Sequence, residues 1–558
     1  MLYTQILHNR TKHPTQRESE KNGTDAFFLT ISNSQQSVRY TFTELMQLVD
    51  DLERYVLANN FAVPDSKHPR VVVTALSNNL DFVLILLLCA KLEWLVMPLS
   101  PEVSEENFCE TLRSYRPDMV IYSNADARNK ENTLQNLGYV RPKNEGCCNL
   151  LSSILCKKTD KQPAFTAIDN IQALLDKSNH NSGPPYILTT TSGTTSAPKW
   201  MCLGQGTKLK RAESFFSTFE LDANDRFIIA TPLYHSLAQR ILFTSLLYGE
   251  HCVLLERFSD YLFLQSALDY KVTVAVLVST QIKNLLADSD ERLFNLGALK
   301  KLISSSAKLD NDTRVNIVAK KNFEFYECYG ASEVAVATSL KLNEHMLLDN
   351  SFNSVGKPIS QVDIHILDDS GTTVDVNQVG EICIKSPLAF MGYIEFNNTD
   401  FISKSYVHTG DLGYCDENGY LYFVGRKKER INVGGTKVYP EFVENLAKEY
   451  LAANKDIGWN ENYNLYAIPF PDDRLGEVVA LVIEPPSLNV EVTVNFYDFC
   501  LFLLDKCENY QLPRHFFVLN EVPKTELGKI RRVKLAEYVT TYDRDYLEKI
   551  GRYFCFNY

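Results

Sequence analysis

The chain has 558 residues, with 57 Lys and Arg against 69 Asp and Glu, for a formal charge of −12. At about 150 residues per domain, this length suits three or four domains, or two with a large first one. The 45% hydrophobic and 11% aromatic content supplies a sizeable core and excludes global disorder, and the acidic balance argues against nucleic acid as the main partner, since phosphate contacts want clustered Lys and Arg.

Thirteen Cys are scattered along the chain, with Cys147 and Cys148 adjacent and no CxxC pair. That is neither a disulfide framework nor a zinc pattern, and it reads as buried small hydrophobes in a reducing compartment. The N-terminal residues lack the apolar stretch of a signal peptide. The most apolar run, residues 82–90, is flanked by Asp81 and Lys91. It falls far short of the about 20 residues a membrane span needs, so it reads as a buried helix. The expectation is a soluble, cytoplasmic protein with no membrane span.

In chain order, residues 70–76 form a continuous β-branched run, and residues 79–90 read as a helix opening on an Asn cap. Residues 119–122, 227–230, 252–255, 274–278 and 302–303 are further short apolar strands. Continuous rather than alternating hydrophobicity predicts strands covered on both faces, as in parallel sheets sandwiched by helices. From about residue 350 the texture changes. Residues 361–367 and 380–385 alternate like half-buried strands, and Asp368–Gly371 and Asp416–Gly419 read as turns. This predicts an antiparallel, β-rich subdomain. The charged cluster Arg426-Lys-Lys-Glu-Arg430 marks the best boundary, before a C-terminal part of about 130 residues.

The stretch richest in chemistry is Tyr186-Ile-Leu-Thr-Thr-Thr-Ser-Gly-Thr-Thr-Ser-Ala-Pro-Lys199. A short strand runs into small residues whose N–H and hydroxyl groups can form an anion-binding concavity. Gly193 admits close backbone approach, and Lys199 adds a compact positive charge suited to phosphate. The residues alone leave a solvated Ser/Thr turn open. It is not a Walker loop, because no GxxxxGK[ST] occurs.

Thr191-Ser-Gly-Thr-Thr-Ser-Ala-Pro-Lys199 resembles the phosphate loop of the adenylate-forming (AMP-binding) superfamily, which includes acyl- and aryl-CoA synthetases, peptide-synthetase adenylation domains and beetle luciferases. Companion motifs follow in the family's order. Tyr329-Gly-Ala-Ser-Glu333 is similar to the adenine and magnesium motif, and His408-Thr-Gly-Asp411 to the ribose motif. Gly425-Arg426 with Asn432-Val-Gly-Gly-Thr-Lys-Val-Tyr-Pro-Glu441 resembles the hinge and C-domain glycine loop, and Pro523-Lys-Thr-Glu-Leu-Gly-Lys529 the terminal lysine motif. Earlier landmarks near Tyr40 and Met97 extend the resemblance over nearly the whole chain.

The resemblance implies an α/β fold: a large N-terminal domain of two helix-covered sheets plus a β-rich subdomain, and a small mobile α+β C-terminal domain. The corresponding limits are 1–425, a hinge at 426–428, and 429–558. It implies ATP and Mg2+ as ligands, with coenzyme A or a phosphopantetheine arm as acceptor. Thr191, Ser192, Gly193, Thr194, Thr195 and Lys199 would hold the β- and γ-phosphates. Glu333 would be the magnesium carboxylate. Tyr329, with Gly330 and Ser332 in its motif, would stack on adenine, facing Ser305 and Ala307. Asp411 and Arg426 would hold the ribose, Lys529 would reach the α-phosphate and the reacting carboxylate, and His235 would flank the acyl site. Lys428 would be the pivot, and Gly434 and Gly435 would admit the thiol arm.

Read without the resemblance, these residues have ordinary alternatives. Tyr329 could be core packing, Asp411 a turn residue, His235 a core histidine, Gly434-Gly435 a plain turn, and Lys529 a solvated charge. The chain also departs from the family pattern: Ser196 and Trp200 stand where Gly is usual, and serines fill the 304–306 segment where paired glycines are common. Residues 231–240 carry no Asp to pair an α-amine, which disfavours a free amino acid as substrate. The leading expectation is an ATP-dependent acid–thiol ligase acting on a small-molecule carboxylic acid through acyl-AMP and passing the acyl group to coenzyme A. The alternatives are a freestanding adenylation enzyme loading a separate acyl or peptidyl carrier protein, a nucleotide-binding regulator without catalysis, and an oxygenase of the luciferase type.

Overall fold

The computed structural model describes residues 1–12, 27–59, 70–123, 127–141, 154–158, 182–190, 199–249, 251–287, 291–394, 402–403, 406–453, 463–485, 496–525, 528–541 and 553–555. The chain divides into two compact units. One comprises residues 1–191, 199–364 and 384–407, and the other 192–198, 365–383 and 408–558.

The first unit holds two large sheets. In one, the strands Glu324–Ala331, Lys301–Ser305, Val274–Val278, Arg226–Ile229, His251–Leu255 and Phe27–Ser32 lie side by side in parallel, with antiparallel strands at both edges. In the other, Pro185–Thr190, Leu95–Leu99, Val71–Ala75 and Met119–Tyr122 form the parallel centre. Every residue of Val71–Ala75 and Val274–Val278 is buried, as their continuous apolar runs require of strands covered on both faces.

The helix Leu80–Leu92 begins where the sequence places it. The Asn79 side chain accepts from the Phe82 N–H at 2.9 Å, capping an orphan donor. Residues 81–90 are all buried, so this helix is apolar all round because protein covers it all round. Among the described residues, no helix is long and apolar enough to cross a membrane. Trp200 opens the strand Trp200–Gly204 and packs its ring 5.3 Å from that of Tyr115, so this departure from the family pattern serves the core.

In the second unit, Tyr406–Cys415 and Leu421–Arg426 pair antiparallel around the Asp416–Gly419 turn. Asp416 Oδ1 accepts from the N–H groups of Asn418 and Tyr420 at 2.9 and 2.8 Å. Gly419 stands at φ +77°, which costs glycine little. The C-terminal sheet runs in the order Thr436–Val438, Ile431–Val433, Gly476–Glu484, Pro513–Val518 and Tyr553–Cys555, with Asn464–Asp472 also pairing Gly476–Glu484. Strand Gly476–Glu484 shows a period of two in its packing. Val479, Leu481 and Ile483 join the core beneath helices Pro440–Ala453 and Phe496–Leu504. Ala480 and Val482 join the opposite core beneath Arg532–Thr541. Its run of hydrophobics is thus explained by helices on both faces.

Candidate functional site

In the first unit, the strand Pro185–Thr190 leads into the predicted phosphate loop. Thr191, Ser192, Gly193, Thr194 and Thr195 lie outside the described residues. Lys199 emerges on the far side, its ammonium 5.5 Å above the centre of the Tyr393 ring. The Tyr393 hydroxyl donates to Glu333 Oε1. Tyr393 sits in a short strand paired with Met201, so backbone pairing fixes this tyrosine beside the loop's exit. Lys199 and Glu333 are therefore gathered around one aromatic ring.

Glu333 lies between the antiparallel strands Glu324–Ala331 and Ala335–Leu342. Its carbonyl accepts from Phe390 N–H at 2.7 Å and from Arg211 Nη2 at 2.9 Å, so its backbone is pinned in a residue that is half-buried overall. Arg211 spends Nε on the Leu388 carbonyl at 2.8 Å, tying the two segments together. Burial and the nearby Arg240 push Arg211 down to about 9. Gly330 has a steric reason to be glycine, since a Cβ there would stand 1.8 Å from the Ala335 carbonyl oxygen. Ser332 is half-buried in the turn that follows.

Tyr329 is buried in the same strand. The register pairing Ser304 with Glu327 carries Ser305 and the following residues alongside Tyr329. Ser306 has φ +78°, the left-handed region glycine enters cheaply, which accounts for the strain a serine bears where the family usually has glycine. The Ala307 carbonyl accepts from the Ser279 hydroxyl. His235 is the N-cap residue of helix Ser236–Tyr248 and packs its ring 4.6 Å from that of Tyr234. The Tyr234 carbonyl lies 3.5 Å from the Thr189 hydroxyl, so His235 is held near the strand that feeds the phosphate loop.

These residues cluster at the C-terminal ends of the parallel strands, where open α/β sheets bind ligands. The large cavity of about 1250 Å³ lined by Arg226, Thr273, Lys300, Lys321 and Glu324 sits at the opposite ends of the same strands. It contains none of the predicted site residues.

In the second unit, Asp411 and Arg426 are direct cross-strand partners and form an ion pair, with Arg426 Nε 2.7 Å from Asp411 Oδ1. The turn before Asp411 is built to hold it. Its N–H donates to Thr409 Oγ1 at 3.1 Å, and Thr409 Oγ1 donates to the Ile382 carbonyl at 2.7 Å. Glu381, Cys383 and His408 also converge there. Glu381 already accepts from Gly410 N–H at 3.2 Å and Lys427 Nζ at 2.9 Å, and burial pushes the Cys383 thiol up to about 12. This trio props the ribose-motif turn.

Lys428 lies in the single 3₁₀ turn Lys427–Glu429, directly after the strand that ends at Arg426. Gly434 and Gly435 join two short strands at φ +58° and +92°, the geometry of a tight hairpin turn. Lys529 closes a second tight loop. Thr525 N–H donates to its carbonyl at 2.7 Å, its own N–H donates to Thr525 Oγ1 at 3.1 Å, and Gly528 takes φ +76°. Sequence reasoning missed Tyr393 and Arg211, the two residues that position Glu333. Neither lies in a recognisable motif, and each meets Glu333 across a chain separation of 60 and 122 residues.

The chain is similar to known proteins in sequence and in fold. The model of the AMP-binding enzyme family matches residues 16–394. The indoleacetate–CoA ligase of Aromatoleum aromaticum is 28% identical over 66% of this chain and 71% of its own. The 2-succinylbenzoate–CoA ligase of Bacillus subtilis is 29% identical over 63% and 68%. Among solved structures, ATP-bound MatB from Rhodopseudomonas palustris superposes with a TM-score of 0.76 at 18% identity, covering 97% of this chain and 99% of its own. The o-succinylbenzoate coenzyme A synthetase of Bacillus subtilis, in complex with ATP and magnesium ion, gives 0.72 at 20% identity over 95% and 98%. These two share its α/β fold. With the family model covering more than half of its length, the chain belongs to the AMP-binding enzyme family, in the company of coenzyme A ligases.

Proposed function

We propose that this enzyme activates a small carboxylic acid with ATP and then transfers the acyl group to the thiol of coenzyme A. In the first step a carboxylate oxygen bonds to the α-phosphorus, and the bond to the β-phosphate breaks to release pyrophosphate. In the second, the thiol sulfur bonds to the acyl carbon, its proton leaves, and AMP departs. The observation that carries the reading is the grouping of Lys199 and Glu333 around Tyr393, a cation and an oriented carboxylate, with Lys199 directly following the Ser/Thr/Gly-rich segment in sequence. Phosphoryl chemistry of this kind is mostly positioning and charge stabilisation, which such a group supplies.

The residues present suit a magnesium ion and a nucleotide. Glu333, half-buried overall, offers a carboxylate held by one tyrosine hydroxyl, adequate for a cation that takes most of its ligands from phosphates and water. The ion would supply charge neutralisation at the phosphates. Asp411, buried and facing Arg426, suits the two hydroxyls of a ribose. Lys529, presented by its tight loop, suits charge growing on the α-phosphate. Gly434, Gly435 and Lys428 take their proposed parts in the thioester step.

The test is ATP–pyrophosphate exchange across fatty, aryl, dicarboxylic and amino acids, followed by AMP and thioester assays with coenzyme A. Acid-dependent exchange with a coenzyme A thioester as product is expected. Exchange that yields thioester only on an added phosphopantetheinyl carrier would replace the acceptor. Nucleotide binding without exchange for any acid would overturn the catalytic reading.

A further inference from the structure

The helices Gln205–Thr218 and Ser236–Tyr248 pack together and bury three cations between them. Lys208 and Arg211 are each 2% exposed and Arg240 7%. Lys208 Nζ donates to Gln239 Oε1 at 2.5 Å, a neutral acceptor. Arg211 donates to two backbone carbonyls and lies 3.4 Å from the Ser236 hydroxyl, again neutral groups. Among the described residues, no carboxylate forms an ion pair with any of the three. Arg240 is the extreme case. Among the described residues its Nε, sealed from solvent, meets no acceptor.

A buried guanidinium nitrogen with no acceptor is costly, and two further cations beside it raise the cost. The cluster is internally repulsive: burial and the neighbouring arginines hold the Lys208 ammonium well below its ordinary range, and burial brings Arg240 down to about 10. An anion would relieve that repulsion, and the surroundings of the cluster indicate which. Arg240 is near enough to the Cys328 thiol, one residue before Tyr329, for the two to interact electrostatically. Arg211 pins the Glu333 backbone and reaches Ser236, which follows His235. The cluster thus backs onto the proposed acyl side of the site, one helical turn beyond His235, whereas the phosphates are assigned to the loop before Lys199.

We infer that Arg240, supported by Lys208 and Arg211, binds a second carboxylate on the acid being activated, so that the substrate is a dicarboxylic acid. The inference rests on the proposed ligase reading and names its substrate class. A planar guanidinium pairs a carboxylate through two parallel hydrogen bonds, while an apolar acyl tail in its place would leave it unpaired. The same cations repel an α-ammonium, in keeping with the lack of an Asp in residues 231–240.

The experiment compares short aliphatic and aryl dicarboxylic acids with monocarboxylic acids of the same length, using kcat/KM for pyrophosphate exchange in the wild type, Arg240→Lys and Arg240→Met. At least one diacid is expected to exceed its monoacid by about 100-fold in the wild type, because a site built for a charged group rejects the analogue lacking it. Arg240→Met should collapse that ratio, and Arg240→Lys should retain part of it. A merely structural role would lower both rates and leave the ratio unchanged, which would overturn the inference. A wild-type preference for monoacids, or loss of ATP affinity with the ratio intact, would do the same. Thermal stabilisation by the same diacids in the presence of AMP is measured in parallel. If no acid supports exchange, stabilisation of the wild type but not of Arg240→Met would uphold the anion site while the ligase reading fails. Absence of stabilisation would overturn the site as well.

Discussion

Arg426 Nε stands 2.7 Å from Asp411 Oδ1 across two antiparallel strands, and the carboxylate is buried while the guanidinium is half-exposed. The pair presents an acceptor and a donor side by side on a rigid hairpin. Arg426→Leu would leave the Asp411 carboxylate buried without its charged partner, at about 1–3 kcal/mol. It should also weaken ATP binding by about 10- to 100-fold, the loss of one or two charge-assisted hydrogen bonds. Calorimetric titration with ATP checks this, and unchanged affinity would remove Asp411 and Arg426 from the ribose site.

Lys529 is held by a loop whose bonds are made by its backbone, so Lys529→Ala should leave that loop intact. Pyrophosphate exchange should fall by at least about 100-fold while ATP affinity changes little, the signature of a group that acts mainly in the transition state. Normal exchange in Lys529→Ala would end its catalytic assignment.

Lys428 occupies a one-turn 3₁₀ segment between the Arg426 strand and Glu429. Proline there locks φ near −65°. If the residue is the pivot between the two half-reactions, Lys428→Pro should form acyl-AMP at a near-normal rate and lose thioester formation. Equal loss of both, in single-turnover assays of each step, would reject the pivot.

Gly330 meets the Ala335 carbonyl so closely that a methyl group there would force the Glu333 hairpin open. Gly330→Ala should destabilise the first unit by about 1–3 kcal/mol, the usual cost of overpacking. It should also reduce exchange, because Glu333 would lose its position. A denaturation midpoint equal to the wild type's would contradict the contact.

Arg532 gathers three carboxylates. Glu429 lies at 2.9 Å, Glu441 at 3.5 Å, and Glu444 binds it most closely. One arginine cannot neutralise three carboxylates, and burial, opposed by Arg532 and reinforced by Glu444 and Glu429, raises Glu441 to about 7. A carboxyl that holds its proton more tightly when folded stabilises the fold fully below its unfolded pKa of about 4.3. That contribution is lost as pH rises through about 7. The opening free energy of strand Gly476–Glu484, from amide exchange corrected for the intrinsic rate at each pH, should therefore fall between mildly acidic and neutral pH, and Glu441→Gln should flatten that profile. An equally steep profile in the variant would assign the effect elsewhere.

The resemblance of five short motifs was legible because each is local. A run of Thr, Ser and Gly after a strand, or an Asp ahead of a turn, needs only its neighbours in sequence to be recognised. The same holds for the buried parallel strands, whose continuous apolar runs report cover on both faces, and for the Asn79 cap and the Asp416–Gly419 turn. Gly425 shows where local reading stops. It belongs to a recognisable motif, but its φ of +155° and the Glu441 carboxylate 2.3 Å from where its Cβ would stand, which together favour glycine there, are set by the fold.

By itself the sequence determined the class of the sheets, the order of the motifs and the chemical groups available to bind a nucleotide, since periodicity, turn chemistry and residue type are short-range properties. Only the tertiary structure decided that Tyr393 joins Lys199 to Glu333, that Arg211 pins Glu333, and that Arg240 is buried with its Nε meeting no acceptor among the described residues. Those relationships arise where strands and helices distant in the chain pack together. Hydrophobic burial dictates that packing, and it carries polar groups into contacts that spacing along the chain does not encode.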